Sequence, residues 1–251
     1  MLVLIQYREG LAGAHEVFVL MKKLDKWGLP YSKVVVFNLA NADLDIQVVL
    51  DFVRQSNAVI FGGSGEFGFY LMSDSSKLGK KFRYVLKQSR KILDVVFNEN
   101  VPSLGICFGH QLMGWYLGAQ VLTEGDKYKE FGAHKIKLTE QGQKDLLFKK
   151  VPSEFYTSLG HKSAVVGLPK QTRFGQVVHL AYSNKIKCEA FRVNNQYGVQ
   201  FHPELTYEEN IERDNLYGGM YAPDVREAKD AVKPYISGQI IANFCDMFCG
   251  K

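Results

Sequence analysis

Several things are scarce in this sequence, and each scarcity excludes a class of protein. Only four cysteines, Cys107, Cys188, Cys245 and Cys249, occur in 251 residues. That is too few for a disulfide scaffold, and no two form a CxxC pair. Such usage fits reduced thiols and a cytoplasmic protein. Long hydrophobic runs are missing as well. Stretches such as Leu2-Val3-Leu4-Ile5 fall far below the ~20 apolar residues needed to cross a bilayer. The N-terminus lacks a basic region, a long apolar segment and a small-residue cleavage site, so no membrane association is expected. Charge of one sign is not in excess, since 31 Lys+Arg against 26 Asp+Glu leave only +5. The nearest thing to a basic cluster is Lys77, Lys80, Lys81 and Arg83. It opens a helical pattern without any nucleic-acid motif and reads as a solvated helix end. Nucleic acid is therefore not an expected partner.

What is present is ordinary globular material. Hydrophobic residues make up 46% and charged ones 23%, enough apolar surface to offset the entropy of ordering the chain. The first hundred residues alternate in period. Residues 2–7 read as a buried strand, 15–27 as a helix, 33–37 as a strand and 45–54 as a short helix. A strand at 58–61 runs into Gly62-Gly63-Ser64-Gly65, a long helix covers 82–97, and a strand at 103–106 enters a second glycine turn. Alternating apolar strands and helices specify a mostly parallel open sheet covered on both faces, an α/β class. Ligands in such sheets sit beyond the carboxyl ends of the strands, where these glycine turns fall. The second half differs. Short strands at 134–138, 176–182, 188–193 and 197–201 suit an antiparallel extension, and 225–248 reads as helix broken at Pro234. With no repeat or linker, the expectation is one domain, with a core over about 1–204 and a helical appendage over 205–251.

The chemistry concentrates in two stretches. In Leu104-Gly105-Ile106-Cys107-Phe108-Gly109-His110-Gln111 a buried strand meets a helix at Cys107, with a glycine two positions to either side. This is the pattern of a nucleophile elbow, a sharp strand-to-helix turn that holds its central residue strained and exposed. A helix N-terminus also favours a thiolate, so Cys107 is expected to ionise more readily than a free thiol. The second stretch, Tyr197 to Glu204, ends a strand in His202-Pro203-Glu204. Pro203 keeps His202 extended, which sets His202 and Glu204 on one side of the chain as base and orienter for a thiol nucleophile. A tetrahedral oxyanion would need two backbone N–H donors, expected from Phe108 and from Gly63.

Together, Gly105-Ile-Cys-Phe-Gly-His-Gln111 and Gly198-Val-Gln-Phe-His-Pro-Glu204 closely resemble the class I (triad) glutamine amidotransferases. The likeness is strongest to free-standing relatives of the GMP synthase glutaminase domain. Glu130-Phe-Gly132, residues 138–142 and 148–155, Gly160-His-Lys-Ser-Ala-Val165 and Glu189-Ala-Phe191 follow in the family's order, so the resemblance covers about residues 59–204. It implies a flavodoxin-like fold and hydrolysis of a glutamine side-chain amide through a γ-glutamyl thioester on Cys107. It also implies that Gln111 and the loop carrying Gly160, His161 and Ser163 hold the substrate, and that no cofactor or metal is required. Ser64 stands where many relatives have proline, and Ser163 where the GMP synthase type has an acid.

Other residues have plainer readings. His110 lies on the helix after the elbow, turned from the thiol, in a structural role. His161 reads equally as a loop residue or a substrate contact. Cys188 reads as core, and Cys245 and Cys249, with no histidine nearby, do not suggest a metal site. Only 47 residues follow Glu204, too few for an ATP-dependent synthetase domain. The expectation is therefore an amidase that releases ammonia to a synthetase on a separate chain. Two alternatives stand beside it: a stand-alone hydrolase of another γ-glutamyl amide, and a non-catalytic regulatory protein.

Overall fold

The alternation of strand and helix carries through the first half of the computed structural model, which describes residues 1–216 and 233–250. In chain order it runs β1 (Leu2–Gln6), α1 (Gly10–Lys26), β2 (Val34–Asn38), α2 (Ile46–Gln55), β3 (Ala58–Phe61), α3 (Lys77–Asn98), β4 (Ser103–Ile106) and α4 (Phe108–Tyr116). The second half is richer in strands: β5 (Gln120–Leu122), β6 (Glu130–Leu138), α5 (Glu140–Lys144), β7 (Glu154–His161), β8 (Ala164–Val166), β9 (Gln171–Thr172) and β10 (Gly175–Gln176). It continues with β11 (Val178–Tyr182), β12 (Ala190–Val193), β13 (Gln196–Val199), α6 (Tyr207–Leu216) and α7 (Gln239–Phe248). Residues 225–232 of the stretch expected to be helical lie outside the described residues.

Nine strands form one sheet in the order β2-β1-β3-β4-β13-β12-β11-β6-β7. The run from β2 to β13 is parallel, and every pairing from β13 to β7 is antiparallel. This is a flavodoxin-like α/β sheet with an antiparallel extension. Both faces are buried along β1, β3, β4 and β13, while the edge strand β2 is half-buried. In β1, Val3 and Ile5 enter the core on one side while Leu2 and Leu4 enter the other, as the two-residue period of a strand requires. The helices α2 and α3 start at side-chain caps. Asp45 accepts from Gln47 N at 2.9 Å and Ser76 from Gly79 N at 3.1 Å, each worth about 1 kcal/mol.

β7 has no counterpart among the expected strands. Its alternation is real, but Thr157, Ser158 and Gly160 dilute the apolar signal. The segment after Lys233 packs closely: Ile240, Ile241 and Phe244 are fully buried beside α1, and Gly238 N donates to Pro203 O at 2.6 Å.

Candidate active site

β4 and β13 are neighbours, with Ile106 paired to Val199. The two stretches singled out in the sequence therefore leave the sheet side by side. Cys107 follows β4 directly, at φ 52° and ψ −97°, a region that costs a non-glycine residue on the order of 1–3 kcal/mol. The surroundings enforce it. Cys107 N donates to Val199 O at 2.8 Å, and Gly109 N donates to Gly62 O at 3.1 Å. Neither flanking glycine has room for a side chain: a Cβ on Gly105 would lie 2.6 Å from Gly109 C, and one on Gly109 2.4 Å from Phe61 O. The elbow is thus wedged against β3 and β13.

His202 is reached from β13 and held by its own backbone, whose N–H donates to Ser158 O of β7 at 2.8 Å. Its Nδ1 lies 2.6 Å from Glu204 Oε1. Its Nε2 is buried without a hydrogen-bond partner among the described residues. Burial lowers the imidazole well below its usual pKa, with Arg213, Arg8 and His161 adding to the effect, so the ring is neutral and Nε2 can take a proton. Burial raises the Glu204 carboxyl to about 7, against the opposing pull of Arg213 and Arg8.

The Cys107 thiol differs from the helix-terminus expectation. It is only 3% exposed, and burial pushes it up to about 12 despite Arg8 and Arg213. A helix dipole contributes on the order of 0.3–1 kcal/mol, less than the removal of a thiolate from water takes away. Burial thus favours the thiol over the thiolate at Cys107.

A cavity of about 150 Å³ lies in front of Cys107, and it brings together Phe108, Gln111, Gly160, His161 and Ser163. The sulfur is 4.0 Å from Gly160 O. Gln111 Nε2 donates to Ser163 O at 2.9 Å and to Gln200 Oε1 at 3.3 Å, and the Ser163 hydroxyl bonds that of Thr123. Gly63 does not line this cavity, whereas Ser64 and Gly65 do. The Gly63 N–H is already engaged, donating to Glu16 Oε1 at 2.6 Å.

Glu16 was not singled out in the sequence, nor was Arg8, whose Nε sits 3.0 Å from the second Glu16 oxygen. Both are buried, Arg8 just after β1 and Glu16 on α1, and a Cβ on Gly63 would meet Arg8 Nη2 at 2.8 Å and His202 Cε1 at 3.1 Å. Burial raises the Glu16 carboxyl while Arg8 opposes the shift. On the other side of the cavity, His161 Nε2 lies 3.4 Å from Glu130 Oε2. Burial and the adjacent Glu130 raise Glu189 well above the usual carboxylate range. Glu130, His161 and Glu189 are the one set of three metal-type donors clustered within 4.8 Å among the described residues.

His110 is fully buried. Its ring lies 5.0 Å from that of Phe191, and burial pushes it down to about 3, so it is a neutral packing group. The four cysteines are free thiols, and no helix among the described residues is long and apolar enough to cross a membrane.

Comparison with known proteins agrees with this architecture. The chain is similar to the A subunit of the glutamine-hydrolysing GMP synthase of Methanococcus aeolicus, at 38% identity over 129 residues, half of this chain and 62% of that one. The corresponding subunit of Sulfurisphaera tokodaii is 27% identical over 73% of this chain and 88% of its own. Against a glutamine-hydrolysing GMP synthase from Petrotoga mobilis the match spans 22% of that protein. The chain thus spans less than two thirds of the first of these curated relatives. Among solved structures, a glutamine amidotransferase from Thermotoga maritima superposes with a TM-score of 0.69 at 15% identity, over all of this chain and 98% of that one. The family model "Glutamine amidotransferase class-I" matches residues 33–213, and the chain therefore belongs to the class I glutamine amidotransferases.

Proposed function

We propose that this protein hydrolyses the side-chain amide of L-glutamine, or of a closely related γ-glutamyl compound, through a thioester on Cys107. The carrying observation is that the strained Cys107 follows β4 and a buried His202, with Nε2 unpartnered among the described residues and Nδ1 2.6 Å from Glu204, follows the neighbouring strand β13. The Sγ–H proton passes to His202 Nε2 as sulfur bonds the amide carbon. Collapse of the tetrahedral adduct breaks the C–N bond, and the imidazolium returns the proton to the leaving nitrogen, giving ammonia and the acyl thioester. Water then attacks, His202 takes its proton, and the C–S bond breaks to release glutamate and the thiol. Glu204 supports the imidazolium in both halves. Phe108 N–H is one oxyanion donor. Gly63 N–H is the second once Glu16 has let it go.

The named relatives are subunits of glutamine-hydrolysing GMP synthases. By that likeness the ammonia is meant for a separate synthetase chain. The Glu16 carboxylate on Gly63 N–H favours this partner-dependent reading over a self-sufficient hydrolase, because an anion on an oxyanion donor opposes the charge that must develop there. The test is glutamate release from L-glutamine by the purified chain, with Cys107→Ala as the blank. Slow release that disappears in the variant supports the proposal. Release that survives Cys107→Ala overturns it.

A further inference from the structure

An apolar cleft whose described lining holds no aspartate or glutamate lies away from Cys107. A cleft of about 570 Å³ opens beside β8, walled by Val165, Val166, Leu168, Val177 and Ile186. That volume lies within the range of sites that hold a drug-sized molecule. Its charge is one-sided. Lys127, Lys170, Lys185 and Lys187 stand around it together with His179, and no aspartate or glutamate among the described residues lines it. Two of these lysines are occupied: Lys127 pairs with Glu124 at 2.6 Å, and Lys185 Nζ donates to Lys129 O at 2.7 Å. Lys170 and Lys187 are exposed, and no carboxylate among the described residues lies within ion-pairing distance of either. A whole-chain charge of only +5 does not by itself set four lysines around an apolar floor.

We infer that this cleft is a binding site for a small amphipathic anion, a molecule with a flat or aliphatic apolar body and one carboxylate, sulfonate or phosphate. The body covers Val165, Val166 and Ile186, and the anionic group meets Lys170 and Lys187. Burial of the body supplies the affinity, while the lysines select for an anion and speed its arrival.

The cleft shares a wall with the cysteine helix. Val165 is the contact: a Cβ on Gly114 of α4 would lie 2.8 Å from both of its γ-carbons, and α4 begins at the residue after Cys107. One residue before β8, Ser163 accepts from Gln111 through its carbonyl. A ligand that presses on Val165 therefore bears on the nucleophile's helix and on the loop facing it, and occupancy changes the reactivity of Cys107. The binding stands whatever amide Cys107 attacks.

The test uses the full chain and 1-anilinonaphthalene-8-sulfonate as the probe. Saturable binding at one site is expected. Loss of affinity of about tenfold is expected in Lys170→Glu/Lys187→Glu, whose surface changes leave folding intact, and also when the neutral N-phenyl-1-naphthylamine replaces the probe. Val166→Trp, which fills the cleft, should abolish the binding. Equal affinity for the charged and neutral probes, or no effect of either variant, overturns the site. The rate of iodoacetamide labelling at Cys107, read by peptide mass spectrometry, should shift about twofold or more when the probe saturates. An unchanged rate at saturation overturns the coupling to the nucleophile.

Discussion

In the parallel half of the sheet, β1, β3 and β4 are buried along their length, and the chemistry begins where they stop, at Arg8, Gly63 and Cys107. In the antiparallel half the polar groups sit in or at the start of the strands: Glu130 opens β6, Thr157, Ser158 and His161 belong to β7, and Glu189 precedes β12. Each half buries an acidic centre beside the cavity, and each neutralises it differently. Glu16 has a guanidinium 3.0 Å away. Among the described residues Glu189 has no cation beside it, only Glu130, Ser183 and His161, and burial with the Glu130 carboxyl pushes it well above the usual carboxylate range. A buried carboxylate needs a cation or a proton, and the choice decides what each centre does. The arginine-paired one accepts a short hydrogen bond from Gly63 N, and the other, pushed well above the usual carboxylate range, favours its neutral form.

The largest expected effect tests whether reactivity resides at the strand ends. His202→Ala should lower turnover about a thousandfold or more, whereas His110→Ala, inside the packed region, should keep turnover and lower the unfolding temperature. Steady-state glutamate release and thermal melts read the two, and the reverse pattern would mean the base is misassigned. Next is the arginine-paired centre. Arg8→Met strands the Glu16 carboxylate and should destabilise the fold by about 3 kcal/mol in urea titrations. Adding Glu16→Leu should recover most of that loss.

A third effect is set by pH. With the Glu204 carboxyl near 7, activity should climb by about tenfold per unit as pH rises toward 7 and then level off. Glu204→Gln should be slow and flat over that range. The stability contribution has the opposite sign. A raised carboxyl contributes fully below its ordinary value of 4.5 and loses that contribution as pH rises through about 7. The smallest effect belongs to the protonated centre. Glu189→Gln keeps a neutral donor beside Glu130, so stability below the ordinary carboxylate range should change by less than about 1 kcal/mol. It should also remove part of the stability lost as pH rises above the ordinary carboxylate range, which urea midpoints at acidic and alkaline pH would detect. A large loss at pH 7 would mean that Glu189 is charged and the contrast between the centres is false.

The parallel half was legible because its signals are local. Apolar runs, glycine turns and the Cys107 elbow all lie within a few residues of one another, and β3 and β4 occur where the pattern places them. β7 escaped because Thr157 and Ser158 are buried polar residues whose side chains are satisfied by partners distant in sequence, Ile236 O and Arg213. Glu16 escaped for a different reason. The helix expected at 15–27 overlaps α1, which begins five residues earlier, yet the buried stripe observed includes Gly13, Glu16, Leu20 and Leu24. A charged residue four positions before a buried leucine was the available signal. What it binds, Gly63, could be known only from the folded turn. The thiol is similar: sequence displays the helix terminus that favours ionisation but not the burial that outweighs it.

One contact also sets a schedule. Gly238 N donates to Pro203 O, so the turn that carries His202 and Glu204 is fastened by a segment made long after Cys107. At about 5–20 residues per second of synthesis, the ribosome finishes the cysteine roughly 7 to 26 seconds before it adds Gly238. A nascent chain therefore carries the thiol without an aligned partner, and the site is assembled only as the late segment docks.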